Sequence, residues 1–241
     1  MKCPRTAMVL AAGLGTRMAP LTLTTPKPLI EVAGKPLIDW SLDALQRVDV
    51  DRAIVNVHHL ADQMERHLAA RKSPSIVVAD ERALLLESAG GIINALDKIG
   101  PDPFYVLNAD TFWIGDDRPN LVLLAEGWDD ARMDILLMIA TKDRATGYDG
   151  RGDFHMGPEG RLRRLNAGET SPYIYAGAAI VHPRIFAGVA PGKASLNRHF
   201  DEAIAKDRLY GAPMGGLWLT VGTPGAIGEA EAAIAAQKVH G

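Results

Sequence analysis

The segment Ala7-Met-Val-Leu-Ala-Ala-Gly-Leu-Gly-Thr-Arg17 constrains this chain most. A short continuous apolar run suits a strand buried on both faces of a parallel sheet. Glycines directly after it free the backbone to turn and let N–H groups approach a ligand. Apolar runs alternate with helical patterns downstream. Strands are expected at Ala7–Ala12, Ala53–Val57, Ser75–Ala79 and Phe104–Asn108. Helices are expected at Pro36–Val48, His59–Ala70, and from a Ser88 cap through Ile92, Ile93 and Leu96. This alternation predicts an α/β protein with a mostly parallel central sheet and right-handed crossovers.

The second half is less regular. Strands are expected at Ile135–Ala140, Tyr173–His182 and Leu217–Val221, and helices at Leu196–Lys206 and over the alanine-rich, amphipathic Ala226–Val239. Residues 143–172, rich in glycine and charge, read as an irregular, lid-like region with a short hairpin. No repeat, linker or boundary is evident, so residues 1–241 are expected to form one domain, as their number permits.

Lys and Arg number 26 against 29 Asp and Glu, a net charge of −3, which argues against a general nucleic-acid coat. The longest apolar runs fall short of a membrane span, and the residues after Met1 do not make a signal peptide. A cytoplasmic protein without a membrane partner is expected, as a monomer or small homo-oligomer. Cys3 is the one cysteine, which excludes an internal disulfide and a multi-cysteine metal cluster.

The 13–17 loop fits neither of two common phosphate motifs. A P-loop needs Gly-Lys-Ser/Thr at its end, and a dinucleotide fingerprint needs glycine where Met18 stands. On glycines alone, a plain strand-to-helix turn and a phosphate cradle both remain open. Arg17 adds a charged fork. Twelve residues after Gly15 stands Lys27, between Pro26 and Pro28. Prolines stiffen the backbone around it, which lowers the entropy lost when the side chain is held against a phosphate.

Together, Leu10-Ala-Ala-Gly-Leu-Gly-Thr-Arg-Met-Ala-Pro-Leu-Thr22 and Pro26-Lys-Pro-Leu29 resemble the signature of sugar-1-phosphate nucleotidyltransferases. That resemblance implies a Rossmann-like, three-layer α/β/α fold. It implies an enzyme that joins a nucleoside triphosphate to a sugar 1-phosphate and releases pyrophosphate. It places the nucleotide on Ala11, Ala12, Gly13, Gly15 and Thr16, with Arg17 and Lys27 as catalytic cations. Glu87-Ser-Ala-Gly-Gly-Ile92 is similar to the family's second glycine segment, so Ala89, Gly90 and Gly91 are expected beside the base. Asn108 and Asp110 end a central strand, where open α/β sheets place ligands. By the same resemblance Asn108 belongs to the nucleotide site and Asp110 binds Mg2+.

Gly150-Arg-Gly-Asp-Phe154 resembles a segment of the bacterial uridylyltransferases of this family that act on N-acetylmuramate α-1-phosphate in cell-wall recycling. This implies UTP as donor and places Gly152, Asp153 and Asn166 on the sugar side; read from its residues alone, Arg151–Asp153 fits a turn equally well. The alternatives are a guanylyl- or other nucleotidyltransferase acting on mannose, heptose or glucose 1-phosphate, or a catalytically weak nucleotide-sugar binder. The last rests on one departure. The family's late Trp-x-Asp-x-Gly-Thr motif reads Trp218-Leu-Thr-Val-Gly-Thr223, so Thr220 replaces a second carboxylate ligand. A neutral hydroxyl is a poor ligand for a hard cation. His58-His59 is not read as a metal pair, because neighbours on a strand end point apart. Trp40 and Trp218 are read as packing residues.

Overall fold

A computed structural model describes residues 3–240, with side chains through Gln237; Met1, Lys2 and Gly241 lie outside the described residues. Strand β1 (Thr6–Leu10) leads through single 3-10 turns at Thr16–Met18, Leu21–Leu23 and Lys27–Leu29. The ribbon β2 (Glu31–Val32) and β3 (Lys35–Pro36) then enters α1 (Leu37–Gln46). Next come β4 (Arg52–Val57), α2 (Ala61–Leu68), β5 (Ser75–Asp80), α3 (Glu87–Asn94), α4 (Leu96–Ile99) and β6 (Phe104–Asn108). The chain continues with β7 (Thr111–Ile114), α5 (Asn120–Glu126), β8 (Ile135–Thr141), β9 (Ala145–Thr146), β10 (Phe154–Met156), β11 (Leu162–Arg164) and β12 (Tyr173–Val181). It ends with α6 (Leu196–Ala205), β13 (Leu209–Pro213), β14 (Leu217–Thr220) and α7 (Pro224–His240).

The central sheet runs β5-β4-β1-β6 in parallel, and then β12 joins β6 antiparallel. β12 also carries β8 and the β10–β11 hairpin, and β13 lies parallel to β8. A register shift between Tyr175 and Ala179 separates the two parts of the β12–β8 pairing. The short strands β7, β14 and β9 form a separate sheet.

The apolar runs become strands because both sheet faces are covered. Ala7 and Val9 face Ile38, Leu42, Met64 and Leu68 of α1 and α2. Met8, Ile54 and Val106 face Ile92 of α3 and Phe200 of α6. The larger of these side chains, the Val, Leu, Ile, Met and Phe, each contribute roughly 1.5–3 kcal/mol when fully buried. A third cluster sets α7 in place, since Ala226, Ala230 and Ile234 recur at helical spacing and pack with Phe112, Leu219 and Val221.

The expected elements are present, with corrections. Ser88 is not the cap of α3; it lies inside the helix, and its Oγ accepts a hydrogen bond from Leu196 N at 2.9 Å. The helix expected from His59 begins at Ala61, after Leu60 adopts left-handed backbone. β7, α5 and β13 were not expected from the sequence. The 143–172 region supplies the hairpin β10–β11, which extends the main sheet.

This order positions the site. From β1 the chain builds β4 and β5 on one side, and then crosses to β6 on the other. The sheet order reverses between β1 and β6, with Leu10 opposite Asn108 at their carboxyl ends. Open α/β sheets bind ligands in the crevice at such a switch point.

Candidate active site

A cleft of about 430 Å³ opens at that switch point. Its lining includes Ala11, Ala12 and Gly13 after β1, Lys27 and Pro28, Asn108 and Asp110 after β6, and Glu87 and Ser88 of α3. Segments far apart in sequence thus share one wall.

At its floor, Lys27 Nζ donates to Asp110 Oδ2 at 2.6 Å. Lys27 is only 9% exposed, and the turn Lys27–Leu29 that carries it begins after extended Pro26. Asp110 is fixed from behind, since its carbonyl accepts from Val221 N at 3.0 Å. Burial and the nearby Asp110 carboxylate push the Tyr175 hydroxyl well above the usual tyrosine range.

Gly15 has φ of 63°. A Cβ there would stand 2.8 Å from Thr22 Cγ2 and 2.9 Å from Lys27 Cβ. Only glycine therefore permits this approach between loop and lysine. Thr22 Oγ1 donates to Gly15 O at 3.0 Å, and His59 Nε2 lies 2.8 Å from Thr22 O. Thr16 opens the next 3-10 turn at the surface.

Arg17 is exposed and is not among the cleft's lining residues; its guanidinium sits beside Gly222, in the late Gly-Thr motif. Ala89, Gly90 and Gly91 form the first turns of α3. The amides of Ala89 and Gly90 donate to Ala194 O at 2.9 and 3.0 Å. These donors are thus engaged by the loop before α6, and Glu87 and Ser88 face the cleft instead.

Asp153 is held to the β12 backbone. Its Oδ2 accepts from Tyr175 N at 2.9 Å, and its Oδ1 lies 3.5 Å from the Tyr148 hydroxyl. That hydroxyl accepts from Gly152 N at 3.0 Å. Asn166 lies in the exposed turn after β11, where its backbone and side-chain N–H groups bind Glu169 at 2.8 and 3.0 Å. Those donors, with His155 and Arg163, draw Glu169 down to about 2. Gly152 and Asp153 therefore sit against the strand beside Tyr175, and Asn166 stands apart from the cleft lining.

Thr220 pairs in register with Thr111, immediately after Asp110. Among the described residues no cluster of three or more His, Cys, Asp or Glu could hold a metal unaided. One carboxylate beside bound phosphates still fits Mg2+, which keeps its waters readily. His58 and His59 turn to different carbonyls, those of Glu81 and Thr22. Trp40 stacks on Phe112 at 4.4 Å, and Trp218 Nε1 donates to Ala176 O at 2.9 Å. Both tryptophans serve packing.

The sequence reading missed Asn56, which lines the cleft and accepts from Ala11 N at 2.7 Å. The signal was an isolated amide in the apolar run Ala53-Ile-Val-Asn-Val57, where a buried polar group needs partners.

The sequence model of the nucleotidyl transferase family matches residues 6–237. The chain belongs to this family. Among its relatives is an N-acetylmuramate alpha-1-phosphate uridylyltransferase of Caulobacter vibrioides, 44% identical over 97% of this chain and 98% of that protein. The protein of that name from Neisseria meningitidis serogroup B is 35% identical, over 96% and 99%. A mannose-1-phosphate guanylyltransferase catalytic subunit beta of Drosophila pseudoobscura pseudoobscura is 27% identical over 90% of this chain and 59% of that protein. Solved nucleotidyltransferases share the fold: a UDP-glucose pyrophosphorylase with UDP-glucose superposes with a TM-score of 0.77 at 19% identity, covering 97% of this chain and 99% of that one. This membership makes the chain a nucleotidyltransferase by family, with the Rossmann-like α/β fold that the resemblance implies and that the solved neighbours share. Among the described residues, no helix is long and apolar enough to cross a membrane.

Proposed function

We propose that this chain transfers a uridylyl group from UTP to N-acetylmuramate α-1-phosphate, giving the UDP-sugar and pyrophosphate in the cytoplasm. The observation that carries the reaction class is the Lys27–Asp110 pair, 2.6 Å apart at the switch-point cleft. The choice of base and sugar is supported by the two muramate uridylyltransferase relatives, each matched over nearly its full length.

The chemistry is an in-line displacement. A sugar-phosphate oxygen bonds to the α-phosphorus as the bond to the β-phosphate bridging oxygen breaks, and pyrophosphate leaves with that electron pair. No general base is needed, because the attacking phosphate is already anionic. The residues position the reactants and offset charge. Lys27 is assigned to the α-phosphate and the sugar phosphate, and Arg17 to the β- and γ-phosphates. Ala11, Ala12, Gly13, Gly15, Thr16 and Asn108 are assigned to the nucleotide, with Ala89–Gly91 as the α3 turn behind Glu87 and Ser88 on the base side, and Gly152, Asp153 and Asn166 to the sugar side. Asp110 would hold Mg2+, which when bound supplies positive charge to the phosphate oxygens.

Incubation with Mg2+, N-acetylmuramate α-1-phosphate and equimolar UTP and GTP tests this reading by product mass. The UDP-sugar is expected. A GDP-sugar would favour the guanylyltransferase alternative, which the Drosophila relative supports at lower identity. Absence of both here and with mannose, heptose and glucose 1-phosphates as acceptors, with retained nucleotide binding, would favour the nucleotide-sugar binder.

A further inference from the structure

Beneath the cleft two polar side chains are almost fully buried: Asn56 at 3% exposure and Glu81 at 2%. Asn56 lies in β4, and Glu81 follows β5 directly. Their hydrogen bonds form one continuous chain. Ala11 N donates to Asn56 Oδ1 at 2.7 Å, and Asn56 Nδ2 donates to Glu81 Oε1 at 2.8 Å. Leu86 N then donates to Glu81 Oε2 at 3.3 Å. A Cβ on Gly91 would stand 2.6 Å from Glu81 Oε1 and 2.7 Å from Asn56 Nδ2, so α3 packs directly on the pair.

The arrangement has one polarity. Asn56 must aim its oxygen at the Ala11 amide and its nitrogen at the carboxyl group, so its orientation is fixed. Burial pushes the Glu81 carboxyl above the usual range, opposed by the bonds from Asn56 and Leu86. A site needing stability alone would be served as well by packed apolar residues. The two ends of this chain are backbone of two cleft walls. Ala11 ends the β1 wall, and Leu86 precedes Glu87 and Ser88 of the α3 wall.

We propose that Asn56 and Glu81 are positioning residues for the nucleotide, tying the Ala11 backbone to the Leu86 backbone and so fixing the spacing of the two walls between which a nucleoside triphosphate sits. This rests on the nucleotide-binding reading of the cleft. Neither side chain needs to touch the reacting atoms.

The polarity makes the idea testable by reversal. Asn56→Asp sets two carboxyl groups against each other. Glu81→Gln turns an amide nitrogen toward either Asn56 Nδ2 or Leu86 N, donor against donor. The double variant N56D/E81Q reverses the central bond: the new carboxylate accepts from Ala11 N and from the new amide, whose oxygen accepts from Leu86 N. UTP affinity of the full chain is read by calorimetry with Mg2+, together with the KM for sugar phosphate and the melting temperature. Each single variant should bind UTP about tenfold or more weakly, the scale of one disrupted charged hydrogen bond. The KM for sugar phosphate should change less than about threefold, and the double variant should return to within about fivefold of the unsubstituted chain in UTP affinity. Singles that melt earlier yet bind UTP normally would overturn the proposal. So would a double variant that regains its folding but not its affinity, which decides the matter even where a single variant fails to fold. Failure of the unsubstituted chain to bind UTP would instead overturn the nucleotide reading, and this proposal with it.

Discussion

Lys27 Nζ donates to Asp110 Oδ2 at 2.6 Å, joining residues 83 positions apart in the chain. The prolines on either side hold the lysine backbone, and the end of β6 holds the aspartate. Each charge offsets the other in a partly buried floor, where the attraction is stronger than in water. The same two groups are the cation and the carboxylate that the proposed reaction assigns to phosphate and metal.

Lys27→Ala removes the cation and leaves Asp110 unpaired. Turnover should fall on the order of a hundred- to a thousandfold, the scale of losing one preorganised electrostatic contact to developing charge. Melting should shift little, because the Asp110 side chain is 35% exposed and can hydrate. Pyrophosphate release and thermal unfolding check the two halves. Unchanged turnover would remove Lys27 from its assigned role.

Gly15→Ala acts on the same lysine from the side. The residue has positive φ, and the new methyl would press on Thr22 Cγ2 and Lys27 Cβ. Left-handed backbone alone costs a non-glycine residue about 1–2 kcal/mol. Denaturant unfolding should show a loss of that order, and kcat should drop more than tenfold as Lys27 moves. A variant with intact kcat would show that the loop does not set the lysine's position.

Thr220→Asp restores a carboxylate beside Asp110, because Thr220 lies opposite Thr111 and Val221 N is bonded to the Asp110 carbonyl. More anionic ligands tighten a hard-cation site. The Mg2+ concentration giving half-maximal rate should fall roughly three- to tenfold. An unchanged Mg2+ requirement would mean that position 220 does not reach the metal.

Asp134 offers a pH test remote from the cleft. Burial pushes its carboxyl up, but the hydrogen bonds from Arg208 and Arg184 outweigh burial and hold it below the usual range. The charged form is therefore the one the fold favours. Its contribution is complete above the unfolded-state pKa and is lost as pH falls through the folded one. Asp134→Asn should cost about 1–3 kcal/mol at neutral pH, with the gap closing as pH drops below about 4. Melting temperatures of both proteins from pH 3 to 7 check this; a gap that stays constant would contradict it.

Much of this was legible in the sequence because local chemistry agreed with global packing. The runs at Ala7, Ala53 and Phe104 are apolar on both faces, and they become the parallel strands β1, β4 and β6. Ala11–Gly13, Lys27, Asn108 and Asp110 then meet because the sheet order reverses between β1 and β6. What escaped depends on partners distant in sequence. Ser88 looked like a cap, yet the acceptor it supplies is used by Leu196, 108 residues away. Ala89–Gly91 are expected beside the base by resemblance, and only the fold shows that the amides of Ala89 and Gly90 donate to Ala194 O. β13 is found through its parallel pairing with β8, which no local pattern announces. Glu81 follows a strand with no local signal of burial, and its burial goes with its bonds to Asn56 and Leu86.

The most direct measurement is pyrophosphate release with Mg2+, testing UTP, GTP, CTP, ATP and dTTP against N-acetylmuramate, glucose and mannose 1-phosphates. The proposed function predicts release with UTP and N-acetylmuramate α-1-phosphate, lowered on the order of a hundred- to a thousandfold in Lys27→Ala. Release only with another pair would contradict the substrate assignment, and no release with any pair would contradict catalysis at the Lys27–Asp110 cleft.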